Sequence, residues 1–443
     1  MVIETSTHRQ QKPKPVGKHE PIVIIGAGAF GLSTALELKS RGYEDVTVLD
    51  RHSPPVPDGS SVDVSRIIRP DYADPLYSRM AVECMKRWET DYSQFFYRTG
   101  FALLSSGKDG HPYLDQCKRV LDSQGVKWSD FSNARELKEK YPAITGDLGE
   151  LTGYLNPTSG WADPAGAIQE AANRCSAAGV SFMTGDRGTV TGFVRSGREV
   201  IGVKLRSGGI LHAARFILAT GAWTTRLIDM DNSAHSTAQP VGFIQLTPEE
   251  AKSIADIPVC INLSTGFFVF PPTPGNNLLK IARHGFGYET DVKVQRSQDD
   301  NGRETVVSAP NIRTAGAVKP GFFIPEDAEK ELRRGLENFF PQFKDHPWYN
   351  QRLCWYTDTS TGDFIIDHYP HMDHVFVATG GSGHGFKFLP TLGKYIVDCF
   401  EGSASQELRQ RWAWRPSKLR GKGDGSRGGP DGRKLTPGEQ ARL

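Results

Sequence analysis

Hydrophobic positions recur along the chain with two periods, and their alternation sketches the elements. The run Pro21-Ile22-Val23-Ile24-Ile25 has the length of a buried strand and stops at Gly26. Residues 33–39 then space their apolar positions as a helix does, and Val46-Thr47-Val48-Leu49 forms a second short apolar strand. The pattern therefore predicts strand, helix and strand over 21–52, followed by a loop rich in Pro, Ser, Gly and Asp at 53–63. Helical spacing returns over 76–94, 115–123 and 165–178, and the last of these leads through Gly179 into a strand at 180–183. Residues 190–211 alternate as strands do, with a turn at Arg206-Ser207-Gly208-Gly209. Two further buried strands are expected within Phe216-Ile217-Leu218-Ala219-Thr220-Gly221-Ala222-Trp223 and at His374-Val375-Phe376-Val377-Ala378-Thr379, and a helix over 390–400. Residues 238–352 read as strands and loops around one helix at 326–339, a mixed sheet suited to carrying a substrate.

The first strand runs into Gly26-Ala27-Gly28-Ala29-Phe30-Gly31, the Gly-x-Gly-x-x-Gly turn that lets a helix N-terminus approach a dinucleotide pyrophosphate. Gly26 permits the tight turn, Gly28 removes the side chain that would block the phosphates, and Gly31 lets the helix pack on the strand. A glycine turn alone can serve compactness. Here the second strand ends in Asp50, followed by Arg51, about where an acid roughly 20 residues on reaches ribose hydroxyls. A second cluster, Gly380-Gly381-Ser382-Gly383-His384-Gly385-Phe386-Lys387, sits at another strand-to-helix turn and predicts a second close approach of backbone to ligand.

At 443 residues the chain exceeds what one core usually organises, so two domains are expected. One is a discontinuous cofactor-binding domain from 21–80, 155–230 and 350–414; the other is a substrate domain from 81–154 and 231–349. Residues 1–20 are expected to be disordered. So are residues 415–443, where Lys, Arg, Gly and Pro crowd together. A net charge of +2, concentrated in that tail, gives no general attraction to nucleic acid or anionic membrane. No stretch of about 18 apolar residues is present to span a bilayer. The polar start lacks the apolar segment of an export signal. The six cysteines show no metal-ligand spacing, so a metal site is not expected, and in a chain of this size without an export signal neither are disulfides.

Four ordered segments together resemble the monomeric sarcosine oxidase, pipecolate oxidase and fructosyl-amino-acid oxidase family of flavin amine oxidases. They are the glycine turn, Ser65-Arg66-Ile67-Ile68-Arg69, Leu353-Cys354-Trp355-Tyr356-Thr357 and Gly383-His384-Gly385-Phe386-Lys387. The resemblance spans roughly residues 21–416. It implies an α/β fold with a Rossmann-type, glutathione-reductase-like FAD-binding domain and a second mixed-sheet substrate domain. It also implies FAD held covalently through a thioether at Cys354, although by residue type alone that cysteine is a buried core thiol.

The same resemblance sets Arg66 near the flavin, with Ser65 beside it, and directs Arg69 and Lys387 to a substrate carboxylate. Two cations on one carboxylate make physical sense, because Arg offers paired hydrogen bonds and Lys a point charge. The alternative is two solvated surface cations. Lys280 is a charge within an apolar strand. Either it faces solvent by alternation or, as the resemblance implies, it sits near the flavin and stabilises the negative charge that oxygen acquires. His284 matches a pocket histidine. Phe268 stands where sarcosine oxidases tend to have tyrosine, and it can still wall the cavity.

The activity implied is oxidation of a secondary amine, N-alkylated or cyclic and sarcosine- or pipecolate-like. Hydride passes to the flavin, water hydrolyses the imine, and oxygen leaves as hydrogen peroxide. Gly42-Tyr43-Glu44-Asp45 and Phe386-Lys387-Phe388-Leu389-Pro390 are closer to saccharopine and fructosyl-amino-acid oxidases. A non-catalytic flavin-binding protein and a nicotinamide-dependent dehydrogenase are the other readings. The expected partners are a small amino-acid-derived substrate and oxygen, with the chain a monomer. The ending Ala441-Arg442-Leu443 is similar to a peroxisomal address, so an import receptor and the peroxisome are expected, with the cytoplasm as the alternative.

Overall fold

A computed structural model of the chain describes residues 16–107, 111–295, 304–311, 322–417 and 421–443. Strand β1 (Ile22–Ile25) pairs in parallel with β2 (Val46–Leu49) on one side and with Arg215–Leu218 on the other. Strands Ser181–Met183, Val375–Thr379 and the antiparallel Ile365–His368 complete a six-stranded sheet. Both faces of β1 are covered, which is why it reads as an unbroken apolar run. Helix α1 (Ala29–Ser40) packs on one face beside the helices Pro164–Ala177 and Leu392–Phe400. The other face carries a three-stranded antiparallel sheet at 190–212, whose Val190, Phe193, Val200 and Val203 meet Val23 and Ile25.

A larger mixed sheet is built around the long strand Ala234–Gln245, which pairs with Leu278–Arg283 on one side and Asn350–Thr359 on the other. Residues 350–359, grouped by sequence with the cofactor-binding part, thus hydrogen-bond within this second sheet along their whole length. Helix Glu326–Phe339 forms over the residues its spacing predicts and buries Ala328, Leu332, Leu336 and Phe339 against the sheet. Three acidic residues in its first turn complement the helix dipole. Helix α2 (Pro75–Thr90) begins at Asp74, whose carboxylate accepts from the amides of Leu76 (2.8 Å) and Tyr77 (3.2 Å). Its Met80, Cys84 and Trp88 join the core of the first sheet. No helix among the described residues is long and apolar enough to cross a membrane.

The expectation of a disordered tail fails. From Gly421 the chain runs back over the larger sheet and adds the parallel strand Arg433–Lys434 to Tyr288–Glu289. It then closes with the turn Pro437–Gln440, capped by Thr436. The residues that suggested low complexity are what allow this packing. A Cβ on Gly421 would lie 1.8 Å from the Ser360 carbonyl oxygen, and one on Gly428 1.8 Å from that of Leu263. Gly423, Gly425 and Gly429 hold φ of 76°, 88° and 83°, a region that other residues rarely enter. The basic residues find acids on the body of the protein: Arg427 with Asp358, Arg433 with Asp327, and Lys434 with Asp291. At the other end, residues 1–15 lie outside the described residues, and Lys18 pairs with Glu401 at 2.8 Å.

Gly428→Ala is therefore expected to destabilise the folded protein by about 1–3 kcal/mol through forced displacement of backbone. Gly438, where an added methyl meets nothing within 4 Å, serves as the control. Thermal unfolding should show a lower Tm for Gly428→Ala alone.

Candidate functional site

A cavity of ≈ 280 Å³ is lined by residues from both sheets and from the tail. At one end lies the glycine turn. Gly26 has φ of 114°, and a Cβ there would come within 2.4 Å of the Ala219 carbonyl oxygen. Gly28 is the N-cap of α1 and makes no side-chain cap. The first helical amide, that of Ala29, donates to Ser61 Oγ at 3.0 Å. Asp50 closes this end by accepting from the Ala27 amide at 2.8 Å, and burial raises its carboxyl above the ordinary value. Arg51 forms a two-point pair with Asp58 (2.7 and 2.9 Å), and its guanidinium lies 4.5 Å over the Trp223 ring. Gly385 admits Phe30, whose ring would lie 2.7 Å from an added Cβ. Of the residues singled out from the sequence, Gly31 and Ser65 do not line the cavity. Gly31 lets α1 meet the Gly26 carbonyl, and Ser65 acts through its own carbonyl, described next.

The middle of the cavity is organised by a residue that sequence reasoning missed. Asp63, at the end of the polar loop, is buried and paired with Lys280 (2.8 Å), Arg352 (3.2 Å) and Arg66. Burial opposes its charge, but the three cations outweigh burial and hold the carboxyl far below the usual range. Lys280 also donates to the Ser65 carbonyl at 2.7 Å and lies 4.7 Å over the Phe270 ring. Burial lowers its pKa, Asp63 resists and Arg66 adds to the lowering, which leaves it at about 8. Arg66 Nη2 approaches Cys354 Sγ at 3.6 Å. Cys354 is a free, buried thiol on the strand Asn350–Thr359, opposite Gln239, whose Oε1 has no partner among the described residues. Phe268 lines the wall beside it, packed edge-on to Phe270 at 5.8 Å between centroids.

At the far end Arg69 and Lys387 flank one aromatic ring, that of Tyr72, at 5.1 and 5.0 Å from its centroid. Lys387 Nζ donates to the Tyr72 hydroxyl (2.8 Å) and the His384 carbonyl (2.9 Å). The Tyr72 hydroxyl and His384 Nδ1 are 3.0 Å apart, and His384 Nε2 reaches the Gly362 carbonyl at 2.8 Å. These partners assign the proton of a neutral imidazole to Nε2. Burial and Arg69 both push the Lys387 pKa well below its ordinary value. Arg69 is buried, and its Nη1 has no hydrogen-bond partner among the described residues. A buried guanidinium with an orphaned donor beside a second basic group is a combination suited to an anion.

His284 lines the cavity, 3.5 Å from the Tyr356 hydroxyl and 3.4 Å from Ser426 Oγ, and burial together with Arg427 keeps it neutral. Ser426 and Asp424 come from the tail, so the site includes a segment whose composition pointed away from any site. Asp63, Gln239, Asp424 and Tyr72 carried no motif. A buried acid beside the Ser65–Arg69 segment was the one available signal. Among the described residues no group of three or more His, Cys, Asp or Glu side chains is arranged to hold a metal ion.

The family model of FAD dependent oxidoreductases matches residues 21–399. L-saccharopine oxidase of Schizosaccharomyces pombe is 32% identical over 414 residues, covering 89% of this chain and 93% of that protein. Peroxisomal sarcosine oxidase of Mus musculus is 26% identical over 383 residues, covering 85% and 90%. The solved structure of fructosyl peptide oxidase from E. terrenum aligns with a TM-score of 0.84 at 29% identity, over 95% of this chain and 97% of that one. The chain belongs to the FAD dependent oxidoreductase family, and its fold is that of an FAD-binding domain joined to a substrate domain. The cavity fits the cofactor: bare glycine backbone at a helix N-terminus suits a pyrophosphate, and Asp50 suits a ribose.

Asp63→Asn leaves buried Lys280 and half-buried Arg66 and Arg352 without their counter-ion, and is expected to cost about 3–5 kcal/mol of stability. Removing one of those cations as well, in Asp63→Asn/Lys280→Met, should recover part of the loss. Denaturant unfolding of the two variants and the parent measures both.

Proposed function

We propose that this FAD-dependent oxidoreductase oxidises a secondary amine of an amino acid, with Arg69 and Lys387 holding the substrate carboxylate. The observation that carries this reading is the incomplete clamp: Arg69 Nη1 is buried without a partner, and Lys387 is pushed toward losing its proton by burial and by Arg69. A carboxylate between them would satisfy the orphaned donor and restore the Lys387 charge. Bound FAD supplies the two-electron acceptor for hydride from the carbon beside nitrogen and returns those electrons to oxygen. The chain's own residues fix the carboxylate, wall the amine with Phe268 and Tyr72, and keep His284 neutral so that no further cation opposes an amine. Water then converts the released imine into a carbonyl compound and an amine, and oxygen with two electrons and two protons becomes hydrogen peroxide.

Lys280 serves the oxygen step. Held beside Asp63 in a cavity lined mostly by apolar surface, its ammonium favours negative charge developing on oxygen. With a pKa of about 8, the lysine is protonated below that pH and neutral above it. Flavin reoxidation should therefore slow as pH rises through about 8, and that dependence should vanish in Lys280→Met. Anaerobic reduction by substrate should change much less. Rapid-mixing absorbance separates the two half-reactions, and equal slowing of both would sink the assignment.

Cys354 is proposed as the thioether attachment point of the flavin, a reading supported by its free thiol on the cavity wall and by the nearby Arg66. The yellow colour should remain with acid-precipitated protein and disappear from it in Cys354→Ala. Flavin that washes off the denatured parent would show that the link is absent.

The carboxylate reading is tested with sarcosine, pipecolate, saccharopine and fructosyl amino acids beside their decarboxylated analogues. Arg69→Ala or Lys387→Ala should lower kcat/KM by tens- to thousands-fold, corresponding to about 2–5 kcal/mol for removing one partner of a buried, charge-assisted hydrogen bond. Simple amines oxidised as well as amino acids would overturn it. Sarcosine- and pipecolate-like substrates are the primary reading, and saccharopine or a fructosyl amino acid the alternative. The protein is read as a monomer. Peroxisomal import through Ala441-Arg442-Leu443 is the favoured location. Residues 417–443 fused to a fluorescent reporter should give punctate signal, and diffuse signal would remove the proposal.

A further inference from the structure

We infer that Asp424, brought into the cavity by the folded tail, receives a second, remote ammonium group of the substrate. The enzyme would then favour N-substituted amino acids whose substituent ends in a cation. This deepens the amine-oxidase reading of the same cavity and rests on it.

Three carboxylates line the cavity among the described residues: Asp50, Asp63 and Asp424. Asp50 is engaged by the Ala27 amide at the dinucleotide end, and Asp63 is surrounded by three cations. Asp424 differs from both, because no described cation lies within ion-pair distance of it. Its Oδ1 accepts from the Ser426 amide at 3.0 Å and from the Ser426 hydroxyl, while Oδ2 has no hydrogen-bond partner among the described residues. Its surface is exposed, whereas Ser426, two residues on, is buried. The neighbouring basic residue of the tail is not available to it, since Arg427 is committed to Asp358 through both Nη atoms.

The position also suits a ligand held by the clamp. Asp424 packs on Gly362, where an added Cβ would lie 3.8 Å from its Cγ, and the Gly362 carbonyl bonds His384 Nε2 at 2.8 Å. His384 in turn touches the Tyr72 hydroxyl that bonds Lys387. One short chain of contacts therefore joins the carboxylate clamp to Asp424. Desolvation inside the cavity opposes ionisation of Asp424, but the Ser426 hydrogen bonds outweigh it, so the carboxyl titrates below its ordinary value and is charged at neutral pH. A substrate with a carboxylate at one end and an ammonium at the other has the cations for the first and Asp424 for the second. A lysine-derived secondary amine has this pattern; sarcosine and pipecolate do not.

The test compares the holoenzyme and Asp424→Asn on saccharopine, whose lysine half carries a free α-ammonium, on its Nα-acetyl derivative, and on pipecolate. The parent should prefer saccharopine to the acetylated compound by roughly ten- to hundred-fold in kcat/KM, the scale of one charge-assisted hydrogen bond. In Asp424→Asn the loss on saccharopine should exceed that on the other two by about the same factor and should appear mainly in KM. Tm and flavin content report whether the tail still folds. An equal loss on all three substrates, no loss on any, or a parent that ignores acetylation would overturn the inference. A parent flavin reduced by none of the amines would instead refute the amine-oxidase reading.

Discussion

The buried carboxylate of Asp63 is the constraint around which the site is arranged. Arg66, Lys280 and Arg352 arrive from three separate strands, and without a common anion their like charges would repel one another in one cavity. The cluster is tuned as well as neutralised. Asp63 keeps Lys280 from losing its proton altogether, while Arg66 and burial lower its pKa to about 8, close enough to neutrality for solution pH to govern its charge. The same cluster fixes position, since Arg66 reaches both Asp63 and Cys354. Charge, proton occupancy and geometry of the middle of the cavity thus follow from one residue in a loop.

The two ends of the cavity follow a different logic. At the dinucleotide end the backbone supplies the donors, which is why glycine marks it and why it was legible in sequence. Gly26 and Gly28 are constrained by steric contacts and Asp50 by a hydrogen bond to the same turn, and the three are spaced in a recognisable way. The helix at 326–339 and the strands of the first sheet were equally legible, because a single period of apolar residues states which face is buried. The substrate end is made of side chains from distant segments. Arg69 and Lys387 could be placed only by resemblance, and Tyr72, which joins them, carried no pattern at all. Asp63 was hidden for the same reason: its partners lie 3, 217 and 289 residues away in sequence, counted from the positions of Arg66, Lys280 and Arg352.

The tail shows where compositional reasoning breaks down. Gly, Lys, Arg and Pro in one short stretch describe a solvated chain when nothing lies nearby for them to touch. Here glycine is required because backbone meets backbone at Gly421 and Gly428, and the basic residues meet acids already fixed on the body of the protein. Composition alone cannot separate these cases. Hydrophobic period fails as well, because the segment is held by backbone contact and ion pairs more than by an apolar stripe.

That hold is graded along the tail. Near the cavity Arg427 is locked to buried Asp358, and Gly428 lies against backbone. Toward the end the strand Arg433–Lys434 makes a two-residue pairing, and the last ion pairs are partly open to solvent. Ala441 and Arg442 are exposed, with Arg442 lying 4.2 Å over the Phe323 ring, while Leu443 rests half-buried on the core beneath the larger sheet. A protein that takes hold of the last three residues must first lift Leu443 from that core, which costs about 1 kcal/mol or a little more for a half-buried leucine. Nothing in that step requires Arg427 or Gly428 to move. Capture of the end and retention of Asp424 in the cavity are therefore compatible, because the strong contacts lie between them and the weak ones lie outside.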